Sequence, residues 1–510
     1  PDLTRKTWEI PATVGIFRTE PSAQPKQRGV IYALAPSPLD INRIWAGTDD
    51  GLIWLTSDGG THWNNITPPQ LSAWQKVSVL EASHFDPQAA YAAINTLRLD
   101  DLRPHIYRTR DSGKTWTETT SGIPDDENVN SVRVDPKRKG LLFAGTERAV
   151  YVSFDDGDHW QSLRLNMPAT SVRDPTIKDN DLAVGTHGRG FWILDDITPL
   201  RQLDVKVVGS SAFLFAPELA YRVRWDTNTD TPLPPDEPAG QNPPDGVIFN
   251  YYLKSAAAGP VTLEILDTAG NLVRRYSSAD PVSPPDPELP IPAYWLRPPQ
   301  KLSSAAGLHR FVWDTHYAPV PGMKPEYPIA AVPWNTAPAP TSPWAMPGKY
   351  NVVLTVDGQR YTQPLTIEMD PRVKTSIADL QKQFDLSKQI YDDLLALQPV
   401  VDSATEALTK LKAMREKASE TEAAKIDPAI KELESLQGSG GWRRRGPRTE
   451  SLSGVRASLL EMLSVLQDVD ATPTTQAAQA VSKLNQSTTS LLERWKEFAS
   501  KQLVPLQMQP

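Results

Sequence analysis

The chain has 510 residues, a formal net charge of −8 and a pI near 5.5, so it lacks the basic excess that a nucleic-acid surface requires. Cysteine is absent, which excludes disulfides and thiolate chemistry, and no apolar run approaches the roughly twenty residues needed to cross a bilayer. A chain of this length is expected to hold about three domains.

The opening Pro1-Asp2-Leu3 is comparable to Pro68, Pro69, Gln70 and Leu71 further on. It reads as the end of a repeat. The polypeptide is therefore expected to be the carboxy-terminal part of a longer protein, with further repeats ahead of it or on another chain. Any signal peptide would lie in that missing part.

A repeat runs from about Val30 to Leu200. Three copies of one turn pattern stand out: T-S-D-G-G-T-H-W (Thr56 to Trp63), T-R-D-S-G-K-T-W (Thr109 to Trp116) and S-F-D-D-G-D-H-W (Ser153 to Trp160). Asp58, Asp111 and Asp155 suit acceptors of nearby backbone N–H groups. Gly60, Gly113 and Gly157 supply a backbone geometry that a Cβ would block. Trp63, Trp116 and Trp160 supply apolar area for the space between neighbouring sheets. Gly47-Thr48, Gly145-Thr146 and Gly185-Thr186 share another repeat position, and Asp195 falls at the turn position of a fourth, degenerate copy. A unit of about forty to fifty residues with four short strands is the arithmetic of a propeller blade. Four blades make an incomplete propeller over residues 1–200.

After Leu200 the composition shifts. Strand candidates are Ala212 to Phe215, Tyr221 to Trp225, Val247 to Leu253, Val261 to Leu266 and Leu272 to Tyr276, with a hairpin turn at Gly270-Asn271. G-L-H-R-F-V-W-D (Gly307 to Asp314) and P-G-K-Y-N-V-V-L-T-V-D-G-Q-R-Y (Pro347 to Tyr361) follow. The W-D then P-G-x-Y order resembles an immunoglobulin-like or fibronectin-like β-sandwich, expected over 201–372 with Pro-rich loops. From Thr375 the apolar spacing becomes helical, with Ile377, Leu380, Phe384, Tyr391, Leu394, Gln398 and Val401 on or near one stripe. Runs at 376–418, 420–437, 450–469 and 473–503 predict an antiparallel helical bundle over 373–510. Pro399 is expected to kink or divide the first run. Arg443-Arg444-Arg445 lies in a Gly-rich interruption and reads as a solvated linker.

Blade geometry locates the candidate chemistry. With strands A to D counted from the axis, the aspartate turns are C–D turns, so the opposite mouth is built from B–C and D–A loops. Those loops carry Asp50, Arg98, Asp100, Arg103, Glu147, His187 and Arg189, together with Trp8, Trp74 and Asp126. Asp50, Asp100, Asp126 and Glu147 are the carboxylates available for a glycosidase pair, which needs two about 5–9.5 Å apart. Trp8, Trp74, Arg98, Arg103, His187 and Arg189 are candidate ligand contacts, since tryptophan faces suit sugar rings and cations suit polar groups. Arg189 has a structural reading as well, pairing with Asp195 or Asp196. No His spacing supports a metal site, no glycine-rich pattern cradles phosphate, and no cofactor is implied.

The boxes and A-G-T strands resemble the BNR/Asp-box and sortilin-type propellers. The run V-G-T-H-G-R-G-F-W-I-L-D-D-I-T-P-L, followed by a sandwich and a helical tail, resembles large secreted bacterial proteins labelled glycosyl hydrolase or sortilin-domain proteins. That resemblance implies a secreted, periplasmic or cell-surface protein. It implies either a scaffold that recognises a glycan or protein ligand at the mouth, or a sialidase- or xyloglucanase-like glycoside hydrolase completed by the missing blades. Phe17-Arg18-Thr19-Glu20-Pro21 only superficially resembles the amino-terminal motif of sialidases, and its role is not carried over.

Overall fold

The computed structural model describes residues 2–6, 29–224, 240, 242–282, 284–289, 291–327, 334–438 and 451–506. Trp8, the segment from Phe17 to Pro21 and Arg443-Arg444-Arg445 lie outside the described residues. The chain divides into two compact units, Pro1–Leu203 and Asp204–Pro510.

The first unit is a propeller-like succession of four antiparallel meanders, here called blades 1 to 4. Blade 1 contains β1 (Ile31–Pro36), β2 (Ile44–Thr48), β3 (Ile53–Thr56) and β4 (Asn64–Asn65). Blade 2 contains β5 (Lys76–Ala82), β6 (Ala90–Asn95), β7 (Ile106–Thr109) and β8 (Thr117–Glu118). Blade 3 contains β9 (Val129–Val134), β10 (Leu142–Thr146), β11 (Val150–Ser153) and β12 (Gln161–Ser162). Blade 4 has β13 (Ser171–Lys178), β14 (Asp181–His187) and β15 (Phe191–Leu194). Asp195 was expected to open a fourth aspartate turn, yet the chain turns here through its neighbour. Asp196 Oδ1 accepts from Thr198 N and Oγ1 at 3.0 and 2.5 Å, and the chain enters helix α1 (Thr198–Gln202) instead of an outer strand.

Period-2 alternation gives each blade two apolar faces, and successive blades share them. Trp45, Ile53 and Leu55 of blade 1 join Leu80, Ala92 and Tyr107 of blade 2 in one core. Tyr91, Ala93 and Ile106 join Val132, Ala144 and Tyr151 in the next. Phe143, Val150 and Val152 join Val172, Leu182 and Val184 in the third.

The three C–D turns are superposable in chemistry. The hydroxyl of Thr56, Thr109 or Ser153 donates to Asp58, Asp111 or Asp155 at 2.8, 2.9 and 2.9 Å. The same hydroxyls accept from the N–H of Gly60, Gly113 and Gly157, each at 2.9 Å. Each aspartate then accepts a backbone N–H four residues on, from His62, Thr115 or His159, again at 2.9 Å. All three glycines have positive φ, which a Cβ disfavours. The tryptophans of blades 2 and 3 reach back to the preceding blade. Trp116 Nε1 donates to Ile66 O at 2.7 Å and Trp160 Nε1 to Thr119 O at 2.8 Å. Trp63 of blade 1 donates within its own turn, to Gly60 O at 3.1 Å.

The second unit begins with helix α2 (Val205–Gly209), capped by Asp204, and two sheets follow. The strands are β16 (Ala212–Leu214), β17 (Ala220–Arg222), β18 (Val247–Leu253), β19 (Thr262–Asp267), β20 (Leu272–Ser277), β21 (Gly307–Trp313), β22 (Gly348–Val356) and β23 (Gln359–Met369). One sheet runs β16-β18-β21 and the other β17-β23-β22-β19-β20. Leu214, Phe249 and Trp313 of the first share a core with Leu263, Val352 and Ile367 of the second. The run from Pro347 to Tyr361 is a hairpin that turns at Asp357 and Gly358, both at positive φ. β17 pairs with β23 in parallel.

Four helices complete the unit: α3 (Ile377–Lys417), α4 (Glu420–Gln437), α5 (Leu452–Gln467) and α6 (Thr475–Phe498). Ser376 caps α3 by accepting from Asp379 N. α3 runs unbroken past Pro399, contrary to the expected division. The proline is exposed, and buried Leu394, Leu397 and Ala404 hold both halves on one core. Ile377, expected on the buried stripe, is exposed. Among the described residues no helix is long and apolar enough to cross a membrane.

Candidate functional site

The threonine of the A-G-T strand shapes the mouth of blades 1, 3 and 4. Thr48 Oγ1 accepts from Leu52 N at 2.9 Å. Thr146 Oγ1 accepts from Ala149 N at 3.0 Å, and Thr186 Oγ1 accepts from Arg189 N at 3.2 Å. Each closes a short B–C turn and so fixes which side chains that turn displays. An acid completes the arrangement in two blades: Thr48 donates to Asp50 at 2.5 Å, and Thr146 to Glu127 at 2.7 Å.

This chemistry engages Asp50 within the protein. It is buried, and its second oxygen accepts from Arg5 N at 2.7 Å. The other three candidate acids are dispersed among different partners. Asp100 is an exposed residue at φ 60°, closing the short turn of Leu97 to Leu99. Asp126 pairs with Arg148 at 2.7 Å. Glu147 accepts from Asn130 Nδ2 at 3.0 Å and pairs with Arg173 at 3.2 Å.

The candidate ligand contacts divide in the same way. Trp74 sits at φ 70°, a costly conformation for a bulky residue. It is held there from both sides. Its N–H donates to Asp50 O at 3.0 Å, and its O accepts from Arg98 Nε at 2.8 Å. The Arg98 guanidinium lies 5.3 Å from the ring centroid and 3.5 Å from Asp49. Trp74 is buried, so it braces the mouth and offers no open ring face. Arg103 folds back onto Asp101 at 2.8 Å. Asp101 also takes His105 at 3.3 Å, and His105 reaches Glu118 at 2.6 Å. Burial alone would lower the His105 pKa, but the two carboxylates outweigh it and raise it. The hydrogen bonds from Arg103 hold the Asp101 carboxyl well below the usual range. Together these groups pin the long B–C loop of blade 2. His187 and Arg189 are exposed on the B–C turn of blade 4.

One cluster crosses three blades. Asn95 Nδ2 (β6) donates to Asn130 Oδ1 (β9) at 2.8 Å. Asn130 Nδ2 donates to Glu147 and, at 3.1 Å, to Val172 O of blade 4. Arg173 (β13) donates to Asn130 Oδ1 at 3.1 Å, pairs with Glu147, and lies 3.5 Å from His187 Nδ1. Asn95 and Asn130 are buried, while Arg173 and His187 reach solvent. Asn95, Asn130 and Arg173 were missed from sequence. Part of the signal was available: Asn95 ends the otherwise apolar run Ala90–Asn95, and a buried amide needs a partner. Among the described residues, no three His, Asp or Glu side chains gather in a way that would hold a metal ion.

No family profile matches the chain, and no curated protein matches it in sequence. Three of the solved structures similar to it are YCF48 from Cyanidioschyzon merolae, the GH74 enzyme of Niastella koreensis and YCF48 bound to D1 peptide. The first is 18% identical with a TM-score of 0.26, covering 33% of this chain and 54% of that one. The second is 14% identical with a TM-score of 0.25, covering 32% and 22%. The third is 12% identical with a TM-score of 0.26, covering 48% and 69%. The chain thus spans about half the length of the first and about a fifth of the second.

Proposed function

We propose that this chain is an extracytoplasmic recognition protein of the Asp-box propeller kind, binding a glycan or peptide ligand at the B–C/D–A mouth. In this reading an immunoglobulin-like sandwich (201–372) and a helical bundle (373–510) serve assembly. The observation that carries it is the cluster of Glu147, Arg173, Asn130 and His187. Buried amides hold a partly exposed ion pair in place, and a rigid set of donors and acceptors is what polar recognition requires. Asp50, Asp126 and Glu147 are each engaged by other groups of the protein, which supports binding over hydrolysis.

The test is a panel of polysaccharides and peptides bound to the purified chain, followed by reducing-end assay. Arg173→Ala should weaken the best ligand by about tenfold or more, the loss expected when one partner of a charge pair is removed. Binding indifferent to both Arg173→Ala and Glu147→Gln would remove the mouth cluster from the ligand site. Sugar release abolished by Glu147→Gln would make the protein a hydrolase instead.

A further inference from the structure

The first strand of every blade carries one extra residue at the same repeat position. Ile31 and Ala33 pair with Thr48 and Gly47, and Val77 and Val79 with Ile94 and Ala93. Val129 and Ser131 pair with Thr146 and Gly145, and Val172 and Asp174 with Thr186 and Gly185. Tyr32, Ser78, Asn130 and Arg173 are each left between two partners, as β-bulges. A bulge takes its side chain out of the alternation that buries its neighbours and aims it elsewhere. Here it stands opposite the residues that lead into the B–C turn, at the mouth end of the strand. The bulged strands also adjoin one another. Arg133 of β9 bonds Glu81 of β5 at 3.0 Å and Asp174 of β13 at 2.7 Å. Lys76 of β5 lies 4.4 Å from the ring centroid of Tyr32 in β1.

Blades 3 and 4 show what the position can hold. Asn130 Nδ2 and Arg173 Nη1 both fix Glu147 Oε1, and Asn130 Oδ1 also accepts from Arg173 Nη1. Glu147 Oε2 has no hydrogen-bond partner among the described residues, and Arg173 Nη2 has only His187 Nδ1, at 3.5 Å. One open acceptor and one open donor therefore belong to a pair whose charges cancel. An anion would compete with Glu147 for Arg173, and a cation with Arg173 for Glu147. Two adjacent hydroxyls can use both open atoms without separating the pair, since each hydroxyl donates and accepts.

We infer that the bulged residue is where each blade meets the ligand, and that Asn130, Glu147 and Arg173 seat a vicinal diol of a neutral glycan. The inference rests on the mouth reading proposed above and narrows it.

The purified chain is titrated calorimetrically with cellohexaose, maltohexaose and dextran, and with polygalacturonate, poly-glutamate and poly-lysine. A neutral glycan should bind, and its affinity should change less than about twofold between about 50 and about 500 mM salt, because screening acts on net charge. Arg173→Gln and Glu147→Gln should each weaken it about tenfold or more, as when one partner of a charge pair is removed. Arg173 is exposed, so its variant should keep the circular dichroism of the unaltered chain. Ser78→Tyr should crowd the same ligand and weaken it about threefold or more. Lys114→Ala, in a C–D turn at the opposite end of the blades, should leave it unchanged. Binding of polygalacturonate or a charged peptide in preference, lost in Arg173→Gln and falling steeply with salt, overturns the neutral diol seat and leaves the mouth reading standing. Unchanged affinity in Ser78→Tyr overturns the role given to the bulge. Absence of binding by every probe overturns this inference and the mouth reading together.

Discussion

The two ends of the blades in the first unit differ in kind. At the C–D turns, three blades repeat one hydrogen-bond pattern to within 0.1 Å. At the B–C and D–A loops no two blades are alike. Blade 1 buries Asp50, blade 2 inserts a loop tied by Asp101 and His105, blade 3 presents Glu147, and blade 4 exposes His187. The regular end is where each turn must satisfy the same backbone groups in the same geometry. The irregular end carries no such obligation once its threonine has closed the turn, so it is free to differ. Regularity marks scaffold here, and the variable end is the one at which the proposed recognition would take place.

The largest expected effect tests what the repeated tryptophan does. Trp160→Ala should cost about 3–5 kcal/mol in denaturant unfolding of the first unit, as loss of a buried aromatic does. Trp63→Ala should cost less than half as much, because its ring is half-exposed and its N–H stays in its own turn. Equal losses would mean that the tryptophan serves its turn and not the neighbouring blade.

A smaller effect separates covered from open glycines. Gly145→Ala should destabilise by about 1–3 kcal/mol through overpacking against Ser131 and Val172. Gly185→Ala should stay within about 0.5 kcal/mol. Matching melting shifts in the two variants would contradict the close approach at Gly145.

The smallest effect is a pair of opposite pH dependences. The backbone N–H and side chain of His62 hold Asp58 at about 2, and Thr115 lowers Asp111 likewise. A depressed carboxyl contributes stability above its unfolded pKa, near 3.9, and loses it as pH falls through the folded value. His105 has the opposite sign. Its raised pKa contributes fully below about 6.5, the unfolded value, and the contribution is lost as pH rises through the folded value. Across pH, Asp111→Asn should therefore flatten the fall in melting temperature towards acid, and His105→Gln should flatten the fall as pH rises above about 6.5. An unaltered pH profile in His105→Gln would show that the loop ties at Asp101 and Glu118 do not bear on stability.

Much of this organisation was legible in the residues themselves. The aspartate turns, the hairpin at Gly270 and helix limits near 376–418 and 420–437 all rest on interactions within about five residues, which spacing and turn chemistry report directly. Asp50 was read as a candidate acid because it lies in a B–C loop. Its burial depends on Arg5 and Thr48, the first of them 45 positions away. Arg222 and Arg224 converge on Asp470, nearly 250 positions on, at 2.6 and 2.8 Å, and no local pattern announces that pairing.

By itself, then, the amino-acid sequence determined the period of the blades, the residues that turn each one and the helical character of the tail, because hydrogen bonds to nearby backbone and alternating burial leave a mark at short range. Only the tertiary structure decided which carboxylates are buried and which amides anchor Arg173. Those outcomes depend on strands about forty residues apart, about one repeat, coming within hydrogen-bond or van der Waals reach, and their encounter is set by packing, not by any single stretch of chain.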